Sequence, residues 1–250
     1  MQAFARSSLL ESLPAQVWRA DALAGSAQRV LGTGWALLDE QLPGGGWPLG
    51  AMIEILQEPL QHNEWNLLLP ALAACGHGPV ILVAAPHSPF AAALAHRGLS
   101  ASRLLWINVD SVALGLWATE QALRCAEVNA IMAWLPRTQT AQLRRLQMAA
   151  AEHAKLLVVM RPVAAQQESS PAVLRLGIAV REQADHSTAL EVRIHKRRGP
   201  PLQGCVRLPA AGTGLSRLIA AHPSPRLGTG ESGFRTEGVH HALDRLAANA

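Results

Sequence analysis

The chain has 250 residues, 49% of them hydrophobic and 16% charged, with a formal net charge of +4. That length supports one sizeable α/β core with a tail, or two small domains, and no apolar run reaches the roughly 20 residues of a membrane-spanning helix. The opening MQAFARSSLLESLPAQ carries Glu11 and lacks an apolar core, which argues against a secretory signal.

Three widely spaced cysteines, Cys75, Cys125 and Cys205, form no CxxC pair, against both a disulfide framework and a zinc site. Buried thiols in a reducing cytoplasm are expected, with neither metal nor cofactor. A pI near 9.6 permits nucleic-acid contact without requiring it.

In chain order, residues 15–24 (AQVWRADALA) form a short helical prefix, and 34–42 (GWALLDEQL) a second helix closed by Pro43 and three glycines. Short, nearly continuous apolar runs then predict strands at 51–57, 79–85, 103–109, 129–135 and 155–161, the pattern of a parallel sheet covered on both faces. Helical segments at 64–75, 88–97, 114–127 and 139–154 alternate with them, so the class is α/β. Pro70 should kink the first of these helices or delay its start. In the last, Leu143, Leu146, Met148 and Ala150 point inward, and Arg144, Arg145 and Glu152 toward water.

Beyond Pro162, residues 173–181 and 189–197 alternate with period two across a polar turn, predicting an antiparallel hairpin appended to the parallel core. Residues 204–209 offer a third strand. Residues 211–238 are rich in Gly, Ser and Pro and read as disordered, and VHHALDRLAA ends the chain with a short amphipathic segment. The divisions are therefore a prefix (1–30), a core (31–210) and a tail (211–250).

On the hairpin, Leu174, Leu176, Ile178 and Val180 share one face and leave Arg175 and Arg181 on the other. Leu190, Val192 and Ile194 face in and leave Glu191, Arg193 and His195 out, before Lys196, Arg197 and Arg198. This basic stripe suits DNA phosphates, and the same pattern describes an ordinary solvated sheet face. Interleaved aromatics for base stacking are missing. Trp106, Trp117 and Trp134 are expected in the core; Trp47 and Trp18 are interface candidates. Val239, Leu243 and Leu246 line one apolar side of the tail segment, which suits a partner-binding helix or an idle terminus. His240 and His241 have no further ligands around them.

TGWALLDEQLPGGGWPLGAMIEI resembles the start of the RecA-type core. LLLPALAACGHGPVILVAAPHSPFAAALAHRGLSASRLLW, WATEQALRCAEVNAIMAWLPR and VRIHKRRGPP resemble the ImuA family, RecA-related and often labelled SulA-like, over roughly residues 15–209. The resemblance implies a RecA-like parallel sheet flanked by helices. It implies an accessory role in SOS-induced translesion DNA synthesis, with an ImuB-type inactive Y-family polymerase and a DnaE2-type polymerase as partners, and RecA and DNA as further contacts. The label leaves open an SOS inhibitor of cell division.

In a RecA-type core the first strand leads into a phosphate loop, G-x-x-x-x-G-K-[ST]. Setting Glu54-Ile55 on that strand puts Gln57 and His62 at the glycine positions, Asn63 at the lysine and Glu64 at the hydroxyl. The backbone loses the freedom glycine gives. An attraction is lost and a repulsion gained, each worth about 4 kcal/mol at ~4 Å and an effective dielectric of about 20. Pro86 replaces the water-activating glutamate, and Trp134 the metal-orienting aspartate. The expectation is a pseudo-ATPase; a working ATPase with an unusual loop is the competing reading. VDSVA (109–113) follows the third strand, so Asp110 is expected to cap the next helix instead of orienting a metal.

Overall fold

The computed structural model describes residues 29–209 except Leu60, 184–187, Pro201 and Gln203. Trp18, Val239, Leu243, Leu246, the helical prefix and the tail lie outside the described residues. Strands are β1 (Val30–Leu31), β2 (Trp47–Pro48), β3 (Ala51–Gln57), β4 (Val80–Val83), β5 (Leu104–Ile107), β6 (Ala130–Trp134), β7 (Leu156–Pro162), β8 (Leu174–Glu182), β9 (Thr188–Lys196) and β10 (Val206–Pro209). Helices are α1 (Ala36–Asp39), α2 (Glu64–Ala74), α3 (Ala91–His96), α4 (Val112–Arg124) and α5 (Thr140–His153), with 3-10 turns at Ala101–Arg103 and Val163–Gln167.

β3 to β10 form one sheet in the order β10-β9-β8-β3-β7-β6-β4-β5, and β1 pairs with β2 in a small antiparallel sheet. All five predicted core strands are present and parallel; β3 is flanked by β7 and β8, and β4 by β5 and β6. The hairpin β8–β9 is antiparallel, as its alternation implied, and joins the core through a parallel β3–β8 pairing. β10 adds the third strand, antiparallel to β9.

Every residue of β3 is buried, which is why AMIEILQ reads as a continuous run. Ile53 and Ile55 pack with Leu67, Leu68 and Leu72 of α2. On the opposite face Met52 packs with Leu123 of α4 and with Leu143 and Leu146 of α5. Helices thus cover both faces of the sheet, the layered solution for buried parallel strands.

α2 runs through Pro70 from its expected start, Glu64. Gly34, at φ +81°, lies against the Pro70 ring where a Cβ would collide, and the neighbouring Trp35 Nε1 donates to the Leu67 carbonyl at 3.0 Å. The turn before α1 is thereby fixed onto α2; only glycine meets both the left-handed backbone and the close approach.

Several sequence expectations are corrected. Trp106 and Trp117 are 46% and 61% exposed, and Met148 on α5 faces solvent, its inward place taken by Ala149. Trp106 lies on edge strand β5, and Trp117 on the outer side of α4. Trp47 is fully buried, so it is a core residue. Cys125 is exposed, and Cys75 and Cys205 are half-buried, so none is the buried thiol expected. Ser111, not Asp110, caps α4: its Oγ accepts from the Leu114 amide at 3.2 Å. Among the described residues no helix is long and apolar enough to cross a membrane.

Candidate functional site

In a parallel α/β sheet, ligands bind beyond the carboxyl ends of the strands. Here the ends of β3, β4, β6 and β7 surround a cavity of about 270 Å³. Gln57 and His62 contribute from the β3 end and the loop after it, Ala84 and Pro86 from the end of β4, Trp134 from β6, and Met160, Arg161 and Pro162 from β7. Four of the six residues predicted for a remodelled nucleotide site therefore line one cavity. Asn63 and Glu64 join them through hydrogen bonds.

The geometry of the β3–α2 loop follows from its sequence. A helix start exposes amides without intrahelical partners and carries the positive end of the helix dipole, so it attracts anions. Here the chain supplies the anion itself. Glu64, the first residue of α2, is 1% exposed, and its Oε2 accepts from Gln57 Nε2 at 2.6 Å. The Gln57 carbonyl oxygen accepts in turn from the Asn63 amide at 3.3 Å.

One side chain from the strand end thus occupies a loop amide and anchors the carboxylate. His62 Nδ1 lies 3.8 Å from Glu64 Oε1, and the His62 ring meets His87 edge-on with centroids 4.7 Å apart. No described residue of the loop takes a positive φ, so its described backbone forms no glycine-type cradle. Ala84, in the cavity wall, is left-handed at φ 54°, a conformation that costs of order 1–3 kcal/mol for a non-glycine residue.

Beneath the cavity lies a charged cluster that the sequence reading missed. Glu54 on β3 is fully buried; its Oε1 accepts from Arg161 Nη1 of β7 at 3.0 Å, and its Oε2 from Arg175 Nε of β8. Arg161 Nη2 also donates to Glu168 at 2.7 Å and to the Thr138 carbonyl at 3.1 Å. Burial opposes the Arg161 charge, but the hydrogen bonds to Glu168 and Glu54 win and raise its pKa above the ordinary value. The available signal was a lone carboxylate inside the apolar run AMIEILQ, with Arg161 ending the neighbouring apolar run.

This cluster corrects the basic stripe. Arg175 is 7% exposed and donates to the carbonyls of Ala165, Gln166 and Glu168 in the segment that covers it. Its guanidinium is not on the outer face. Arg181 and Arg193 are exposed in a groove beside the cavity, which they line with His195, Glu58 and Glu191. Arg193 pairs with Glu191 at 3.4 Å.

Lys196 Nζ donates to the Ser170 carbonyl at 2.9 Å. Arg197 donates to the carbonyls of Pro200 and Gln41, tying the end of β9 to the loop after α1. Arg198 lines a small crevice beside Leu42 and Pro43. Arg207 on β10, opposite Glu191 in register, adds an exposed cation that sequence reasoning passed over, although VRLP alternates cleanly. His195 lies over Gly177, where a Cβ would sit 2.5 Å from its Nε2. Burial, then Arg175 and Arg193, hold its pKa below the ordinary value.

The Asn63 amide is taken by Gln57, the first turn of α2 carries the Glu64 carboxylate, and Pro86 and Trp134 supply no acid, base or metal ligand. A scan against protein-family models finds no match to this chain, and a search of curated proteins likewise finds none.

Proposed function

We propose that the chain is a non-catalytic, RecA-like adaptor of the SOS response. It supports error-prone translesion synthesis by binding an ImuB-type inactive Y-family polymerase and a DnaE2-type polymerase, with RecA and DNA as further contacts. The observation that carries this reading is the buried Glu64 carboxylate at the start of α2, held by Gln57 where the resemblance places phosphate. A protein with that loop works by binding. The six parallel strands, with β3 inside the sheet and the ends of β3, β4, β6 and β7 converging on one cavity, are compatible with a RecA-like core.

On this reading the protein acts in the cytoplasm, at the nucleoid when engaged. Trp18 and the tail residues Val239, Leu243 and Leu246 are the partner contacts. Arg181, Arg193 and Arg198 are the cations left to meet DNA, since Arg175, Lys196 and Arg197 hold the fold together. Affinity capture from DNA-damaged cells tests the proposal. Recovery of both polymerase subunits is expected. Recovery of a tubulin-like division protein with neither polymerase would replace it with division inhibition.

A further inference from the structure

The eight-stranded sheet has two edges, and they are built differently. β10 exposes Arg207 and Pro209, a cation and a residue without an amide, and both discourage a further strand. β5 reads LLWI, with no charge and no proline between Arg103 and Asp110. Only its four-residue length guards it, and it is no shorter than its neighbour β4. The Ile107 carbonyl accepts from the Ala84 amide on the β4 side. Backbone groups alternate along a strand, so those of Leu104 and Trp106 turn to the open side, where no described strand lies.

The side chains beside this edge are apolar and half-exposed on both faces of the sheet. Leu105, 51% exposed, stands opposite Ile81 and so lies on the face that α4 covers. Leu116 and Glu120 of α4 turn toward α5, which leaves Leu114, 53% exposed, turned across the helix toward β5. Trp106, 46% exposed, stands opposite Leu82 on the other face, where the six-residue α3 buries only Leu94.

We propose that β5 pairs antiparallel with β5 of a second copy of this chain, about a two-fold axis at Trp106, so that one sheet runs through both molecules. Such an axis sets Trp106 against Trp106 as a hydrogen-bonded pair, using the outward amide and carbonyl of each, and Leu105 against Ile107. Leu114 of each copy closes over the leucine and isoleucine. The charges favour a second copy as the occupant: the strand is neutral, and antiparallel order brings the Arg103 end of one copy to the Asp110 end of the other. Arg103 keeps its own hydrogen bond to the Gly78 carbonyl at 3.1 Å. A buried tryptophan covers about 150–250 Å², so the exposed half of Trp106 from each copy supplies roughly 200 Å² of contact. With Leu105 and Leu114 the contact falls at the small end of specific interfaces, below about 1,200 Å². Dimerisation at about 10 µM is therefore expected.

Sedimentation equilibrium on the full chain tests this, and the wild type should pass from monomer to dimer with rising concentration. Trp106→Lys sets a charge against its own copy at a residue outside the buried core. It should weaken dimerisation at least tenfold and keep the urea midpoint of the monomer. A second variant reads the axis directly. Trp106→Cys, in a chain whose Cys75, Cys125 and Cys205 are changed to Ser, should form a disulfide-linked dimer under mild oxidation. The paired Cα atoms would lie about 5.5 Å apart, within disulfide reach. Trp117→Cys, on the outer side of α4, should not link.

A chain still monomeric at about ten times the expected concentration overturns the inference, as does a dimer that Trp106→Lys leaves intact. A dimer whose Trp106→Cys form does not link, or links no faster than the Trp117→Cys form, is held by another surface and equally overturns it.

Discussion

Glu54→Gln removes the one carboxylate shared by two buried guanidiniums while keeping its shape. Arg161 retains Glu168, which is 53% exposed, but Arg175 is left with carbonyl oxygens alone. Arginine stays charged at any working pH, so the cost is not relieved by losing a proton. Breaking a buried ion pair by removing one partner costs about 3–5 kcal/mol. The side-chain amide that Glu54→Gln introduces would still accept one hydrogen bond through its carbonyl. The expected loss is therefore near the lower end, about 3 kcal/mol. With a urea m-value of about 2 kcal/mol/M, the midpoint should fall by about 1.5 M.

Replacing all three residues with apolar ones of similar volume, Glu54→Leu with Arg161→Met and Arg175→Met, should cost far less than Glu54→Gln, because no charge is stranded. Urea unfolding followed by tryptophan fluorescence reads both. A Glu54→Gln midpoint within about 0.2 M of wild type, at unchanged m-value, would show that the cluster does not brace β3, β7 and β8 as described.

Asn63→Lys with Glu64→Ser supplies an attraction and removes the carboxylate; equilibrium dialysis with triphosphate should show at least a tenfold gain, since each charge change is worth about 4 kcal/mol before screening. The folded state holds His195 below its ordinary value of 6.5, so the unfolded chain binds the proton more readily. This contribution to stability is therefore present above that value and lost as pH falls below it. His195→Asn should flatten the fall in urea midpoint between neutral and mildly acid pH, and an unaltered profile would exclude the residue. Arg181, Arg193 and Arg198, all changed to Glu, should abolish salt-sensitive binding of single-stranded DNA in a filter assay. Undiminished binding would remove the groove as a DNA surface.

The core was legible because parallel strands buried on both faces leave unbroken apolar runs, as in AMIEILQ and the segment ending at Arg161. Strand ends were read long, since flanking residues such as Ala84 and Asn129 look like strand but lie in the connections. Period two assigned correct faces to Arg193 and His195. For Arg175 it could not show that Val163–Gln167 folds back over the strand and turns an outward cation into a buried one. Trp106 and Trp117 were misplaced because hydrophobicity alone does not reveal an edge strand or the outer side of a helix. At the candidate site the identities of Gln57, His62, Asn63, Glu64, Pro86 and Trp134 were plain in the sequence. The hydrogen bonds joining Gln57 to both Asn63 and Glu64 were not, because they depend on how the β3 end faces the start of α2.

Isothermal titration of the full-length chain with ATP and Mg²⁺ bears most directly on whether the start of α2 excludes phosphate. The buried Glu64 carboxylate in the first turn of α2, with the Asn63 amide taken by Gln57, predicts no binding tighter than millimolar. A micromolar Kd that depends on the triphosphate would mean that Gln57 and Glu64 give way to nucleotide, and the non-catalytic account would be wrong.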